Sequence, residues 1–261
     1  MPFATTSDNQ EIYYETHGPA TSATTLAFVS GYFGITAIWH SLITRLSARG
    51  YRCIAHDSRG YGRSAKPTAE EAYSIPRHAE DVHAVLAAAD IPPTSQLVLV
   101  THSMGGNIGA AYCLAHPGRV AGLIQTGTYI DGARIQAILS YEALTSGVES
   151  PSKCVAFYTN MGLEEATALE AAKWPAYCRR YNARALLGWA IGDDQYADLT
   201  VPGLVVQGEL DAATPVELLC RPIVEAMPAC RLAVLPGVAH FPPTEAPEEV
   251  ERLVVEFVRG L

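Results

Sequence analysis

The sequence predicts an α/β fold in which a mostly parallel sheet is covered by helices on both faces. Three observations carry that expectation. Compact apolar runs of strand length alternate with longer segments of helical periodicity. The runs end in polar or glycine-rich turns, as strands buried on both faces do. The alternation stops between residues 131 and 199, where the pattern is helical and rich in large side chains, and resumes afterwards.

Two short segments open the chain, Phe3 to Thr5 and Glu11 to Thr16, separated by the turn-like Ser7-Asp8-Asn9, and they predict an antiparallel hairpin at one sheet edge. The parallel strands are then expected at Leu26 to Val29, Arg52 to Ala55 and Leu97 to Val100. Between them, Ala37 to Arg49 and Arg77 to Ala89 carry apolar residues at three- and four-residue spacing, with Pro76 where a first helical turn tolerates it. Ile108 to Ala115 reads as a helix closed by His116-Pro117-Gly118, followed by a strand at Val120 to Ile124. The 131–199 segment, with Phe157, Tyr158, Met161, Trp174, Tyr177, Tyr181 and Trp189, fits an inserted helical lid better than more sheet. Strands return at Gly203 to Val206 and Arg231 to Leu235, flanking a helix-like Val216 to Ala226, and a last helix runs from Pro247 to about Arg259. The expected division is therefore a core at 1–130 and 200–261 with a lid at 131–199.

Of the 261 residues, 49% are hydrophobic and 17% charged, an ordinary globular balance that a chain of this length can bury in a large core. The formal net charge is −9 and no Lys/Arg cluster appears, which argues against a nucleic-acid partner and against a polyanionic ligand. No uninterrupted apolar stretch reaches membrane-span length, and the N-terminus lacks the pattern of a secretory signal, so a soluble cytoplasmic protein is expected. The six cysteines show no paired spacing and read as reduced, mostly buried small side chains; a Cys154–Cys178 disulfide is set aside. Neither Gly31-Tyr32-Phe33-Gly34 nor Gly60-Tyr61-Gly62 forms a phosphate loop, and His56-Asp57 and the His78, His83 pair lack a third ligand, so no cofactor and no metal are expected. A homodimer is left open.

The segment Leu97-Val98-Leu99-Val100-Thr101-His102-Ser103-Met104-Gly105-Gly106 carries a buried strand into a serine among small residues and then a helix, which resembles a nucleophile elbow. A serine hydroxyl needs a base to take its proton, and that base needs an orienting acid. His240, in Leu235-Pro236-Gly237-Val238-Ala239-His240-Phe241, is the candidate base. Asp211, just past the strand of Val205 and Val206, is the candidate acid, with Glu209 as fallback.

With Asp57-Ser58-Arg59-Gly60-Tyr61-Gly62-Arg63-Ser64, these segments resemble the α/β-hydrolase superfamily across nearly the whole chain, in the family's order of nucleophile, acid and histidine. The resemblance implies an eight-stranded sheet with a helical cap between the sixth and seventh strands, and a catalytic triad of Ser103, Asp211 and His240. It further implies an oxyanion hole from the N–H groups of Tyr32 and Met104. Asp57 and Arg59 are read as structural. Phe33, His102, Tyr129, Tyr158, Trp174 and Phe241 are expected to line the substrate pocket. The sequence departs from the family twice, with Thr101 where the first glycine of G-x-S-x-G belongs and Ser30 where most members have histidine. The chemistry implied is cleavage of an ester, lactone or activated C–C bond of a hydrophobic small molecule through an acyl-enzyme. Alternatives are a cofactor-free oxygenase or haloperoxidase-like perhydrolase using the His240–Asp211 dyad, and a non-catalytic ligand receptor on the same fold.

Overall fold

The computed structural model describes residues 2–261, without the side chain of Asp193. Eight strands form one sheet: β1 (Phe3–Thr5), β2 (Glu11–His17), β3 (Thr24–Val29), β4 (Arg52–His56), β5 (Gln96–His102), β6 (Gly122–Thr126), β7 (Gly203–Gly208) and β8 (Cys230–Leu235). Their spatial order is β1-β2-β4-β3-β5-β6-β7-β8, antiparallel through β1, β2 and β4 and parallel thereafter. This is the α/β-hydrolase fold, as the sequence predicts. Every residue of β3, β4, β6 and β7 is buried, which is why these strands read as continuous apolar runs, whereas the edge strand β8 is mostly part-exposed.

The covering helices are α1 (His40–Ala48), α2 (Ile75–Ala88) and α3 (Met104–Ala115), followed by a series between β6 and β7. That series comprises α4 (Gly132–Gln136), α5 (Tyr141–Thr145), α6 (Pro151–Thr159), α7 (Glu165–Ala171), α8 (Ala176–Leu187) and α9 (Asp193–Ala197). The chain closes with α10 (Arg221–Ala226), α11 (Pro242–Glu245) and α12 (Pro247–Arg259). Ser74 caps α2 by accepting from Arg77 N–H, and Asp131 caps α4 by accepting from Arg134 N–H. No helix among the described residues is long and apolar enough to cross a membrane.

Several boundaries differ from the sequence expectation for identifiable reasons. Helix α3 starts at Met104 rather than Ile108, because Gly105 and Gly106 form its first turn instead of a loop. Strand β6 runs two residues later than expected, since Gln125 and Thr126 pair with Thr101 and His102 of β5 and their side chains find partners inside. The expected helix at 216–226 is broken, with Val216–Cys220 forming a π turn before α10 starts at Arg221, where Pro222 can supply no N–H to a continuous helix. Ala37 to Arg49 likewise divides into a 3₁₀ turn at Thr36–Trp39 and then α1. All six cysteines are unpaired.

The segment of Asp57 to Ser64 braces the sheet. Asp57 accepts from Thr36 N–H and from the backbone and Nε of Arg63, each at 2.9 Å. Arg59 is fully buried, donating to Asp81 Oδ2 at 2.7 Å and to Asp8 Oδ2 at 2.8 Å, so it ties α2 to the β1–β2 turn. Asp81→Ala leaves buried Arg59 with the part-exposed Asp8 as its one carboxylate partner and is expected to cost roughly 1.5–3 kcal/mol in urea unfolding, whereas Arg252→Ala on the exposed face of α12 should leave the urea midpoint unchanged.

Candidate active site

The tight turn between β5 and α3 puts Ser103 at φ 52° and ψ −123°, a backbone region that non-glycine residues enter only when their surroundings hold them there. What holds it is close packing. A Cβ at position 105 would fall 2.2 Å from the Val29 carbonyl oxygen, and one at position 31 would fall 2.9 Å from Ser103 Cβ. Glycine at both positions lets the loop after β3 press directly against the serine turn. Ser103 N–H donates to Thr126 O at 2.9 Å, anchoring the turn to β6.

The two departures from the family pattern are both accommodated. Thr101 Oγ1 donates to Ile124 O at 3.0 Å, and its methyl occupies the space above Gly109, where a Cβ would lie 2.9 Å from Thr101 Cγ2. Ser30 Oγ accepts from Trp39 Nε1 at 2.9 Å and donates to Ile35 O at 3.1 Å, so a small hydroxyl spans the loop. Gly31 and Met104 meet at the serine turn, where a Cβ at position 31 would fall 3.4 Å from Met104 N, and neither the Tyr32 nor the Met104 backbone N–H has a hydrogen-bond partner among the described residues.

Asp211 follows β7 and is 4% exposed. Its Oδ2 accepts from His240 Nδ1 at 2.8 Å, Gln207 Nε2 at 2.6 Å and Thr214 Oγ1 at 2.5 Å. Its Oδ1 accepts from the N–H groups of Ala213 and Thr214, both at 2.9 Å. Burial alone would raise this carboxyl, but the adjacent His240 and the hydrogen bonds from His240 and Thr214 outweigh it and hold Asp211 well below the usual carboxylate range. The ionised acid thereby fixes the His240 tautomer with Nδ1 protonated, leaving Nε2 as the nitrogen able to take a proton. Glu209, the fallback acid, is exposed and bonds Gly237 N–H instead.

The histidine loop has its own brace, not visible as a motif. Glu245 on α11 accepts from Ala239 N–H at 2.8 Å and from Phe241 N–H at 2.7 Å, one on each side of His240. His240 N–H itself donates to Met161 O at 3.1 Å, in the chain between β6 and β7. Ser103 and His240 are 6% and 5% exposed, and Ser103 Oγ has no hydrogen-bond partner among the described residues. Such contacts are often long before substrate arrives.

His102 is fully buried with its ring 4.9 Å from those of His240 and Phe241. Burial first, then the neighbouring His240, push it well below the ordinary histidine value, so it is neutral. Its Nδ1 meets Thr126 Oγ1 at 3.1 Å and its Nε2 has no partner. Phe33 centres an aromatic cluster, 4.9 Å from Tyr158 and 5.3 Å from Phe241. Tyr129 is fully buried beneath α3, its carbonyl accepting from Asn107. Trp174 stands apart from the cluster and lines a cleft with Thr36, Asp57 and Arg63. Neither His78, bonded to Asn182, nor His83, stacked on His116, belongs to the site, and no group of side chains among the described residues could hold a metal ion.

A family model described as "alpha/beta hydrolase fold" matches residues 24–148. The chain is 27% identical to a non-heme haloperoxidase of Rhodococcus erythropolis, with all of both chains covered. It is 28% identical to a non-heme chloroperoxidase of Burkholderia pyrrocinia over 92% of this chain and 93% of the other. Among solved structures, one described as an N-acyl homoserine lactone degrading enzyme is 26% identical with a TM-score of 0.78, covering 98% of this chain and 100% of that one. An esterase from Exiguobacterium antarcticum has a TM-score of 0.85 at 23% identity, covering 98% of each chain, which speaks to the fold.

The Thr101–Gly109 contact gives a direct test. Gly109→Ala should cost roughly 1–3 kcal/mol by overpacking, and much of that cost should vanish when Thr101→Gly is added, as a double-mutant cycle by urea unfolding would read.

Proposed function

We propose that the chain, which has the α/β-hydrolase fold and matches that family's model over residues 24–148, is a serine hydrolase cleaving an ester, lactone or activated C–C bond through an acyl-enzyme on Ser103. The observation that carries this reading is the Asp211–His240 pair, a buried and fully hydrogen-bonded carboxylate 2.8 Å from Nδ1 of a histidine whose ring lies against the residue preceding Ser103. His240 Nε2 takes the proton of Ser103 Oγ as the oxygen attacks the carbonyl carbon. The oxyanion is received by the N–H groups of Tyr32 and Met104. His240 then returns the proton to the leaving group, and water completes the cycle with the same histidine as base.

Residues 131–199 act in this reading as a cap over the site. Met161 bonds the histidine loop, and Tyr158 closes on Phe33. The substrate contacts fall to Phe33, His102, Tyr158 and Phe241, with Tyr129 and Trp174 farther out.

A second reading has a specific basis in the end-to-end similarity to a haloperoxidase. On the same acyl-enzyme, hydrogen peroxide would replace water as the second nucleophile and release a peracid. The two readings share Ser103 and differ only in which small nucleophile the closed site admits.

Treatment with a small fluorophosphonate followed by intact-mass spectrometry should show one adduct on the wild-type chain and none on Ser103→Ala or His240→Ala. Absence of an adduct on folded wild type would overturn the acyl-enzyme reading. Asp211→Asn should leave the fold intact and lower kcat by about 10⁴, because the amide no longer enforces the histidine tautomer.

A further inference from the structure

Two buried guanidiniums among the described residues have only carbonyl partners, Arg52, which meets the carbonyls of Ala89 and Asp90 at the C-terminal end of α2, and Arg179. Arg179 on α8 is 2% exposed, and a guanidinium stays ionised at any working pH. Its Nη1 donates to Val148 O at 3.2 Å and its Nη2 to Ala171 O at 2.8 Å, while Nε is buried with no partner. Among the described residues no carboxylate pairs with it. The contrast with its neighbours is direct, since Glu149 pairs with Arg180, Lys173 pairs with Glu170, and buried Arg59 holds both Asp81 and Asp8. A buried guanidinium satisfied by carbonyls alone has its donors partly met and its charge unmet.

Its surroundings say what would meet that charge. Arg179 lines a cleft of about 460 Å³ whose other walls are mostly apolar, among them Val148, Val155, Leu169 and Trp174, with Glu149 and Lys173 at the wall already paired to Arg180 and Glu170, a volume suited to a small molecule. On its other side the guanidinium adjoins the Tyr158 hydroxyl, and the Tyr158 ring packs 4.9 Å from Phe33. The carbonyl of Arg179 accepts from the Tyr32 hydroxyl at 3.1 Å. The residue therefore stands between an apolar cleft and the loop that carries the oxyanion donor.

We infer that Arg179 is an anion-binding residue of the substrate site, and that the substrate carries a single carboxylate on an apolar skeleton, held by the guanidinium while its ester or lactone carbonyl lies at Ser103. The placement of the carbonyl rests on the hydrolase reading; the anion site does not. A single guanidinium without a carboxylate beside largely apolar walls suits a monoanion, and a chain of net charge −9 disfavours anything more highly charged.

Isothermal titration with hexanoate and with uncharged hexanamide tests the anion site without catalysis. Hexanoate should bind wild type and Ser103→Ala roughly tenfold or more tightly than hexanamide does, with the preference lost in Arg179→Gln and partly kept in Arg179→Lys. Wild-type binding of hexanoate no tighter than of hexanamide overturns the inference whatever the variants do. In turnover, the 4-nitrophenyl monoester of adipic acid should exceed 4-nitrophenyl hexanoate in kcat/KM by about tenfold, through KM, and equal values would overturn the assignment to substrate. Hexanoate binding with neither ester cleaved would instead leave the anion site standing and remove the hydrolase reading.

Discussion

The site depends on how closely the loop after β3 is pressed against the start of α3. Val29 O and the serine turn approach until only hydrogen atoms fit at positions 31 and 105. That contact holds Ser103 at a positive φ. Strained backbone of this kind persists when its surroundings over-determine it. Here they do so from both neighbouring strands, with β3 supplying the packed loop and β6 supplying the carbonyl that accepts from Ser103 N–H.

The acid end is built on the opposite principle. Asp211 is rigid through hydrogen bonds rather than through packing, five donors converging on two oxygens. A carboxylate that well solvated by protein groups stays charged despite burial. Gln207 and Thr214 supply this environment to the acid, and Glu245 does comparable work for the histidine loop by accepting from both sides of His240.

Sheet, covering helices and the tight turn at Ser103 were legible because each is written locally: a buried parallel strand is an apolar run, and the turn that follows β5 needs its small residues in sequence. The supports were not legible. Gln207, Thr214 and Glu245 are ordinary polar residues until the fold brings them to a partner. Thr101 looked like a departure because the sequence does not announce that Gly109, two turns along α3, makes room for its methyl. Ser30 looked like another, although Trp39 and Ile35 give its hydroxyl two partners. Arg179 was passed over for a related reason: an arginine in a polar helical segment reads as surface, and only its burial without a carboxylate distinguishes it from Arg180 beside it.

The Tyr32 side chain joins two parts of the molecule that the sequence keeps far apart. Its hydroxyl lies 3.1 Å from the carbonyls of both Leu144 and Arg179, at α5 and α8. Any outward swing of those helices must either break that tether or carry the loop after β3 with them. The loop pressed against Ser103 is thereby fastened from two sides, by the strand it leaves and by the helices that cover it.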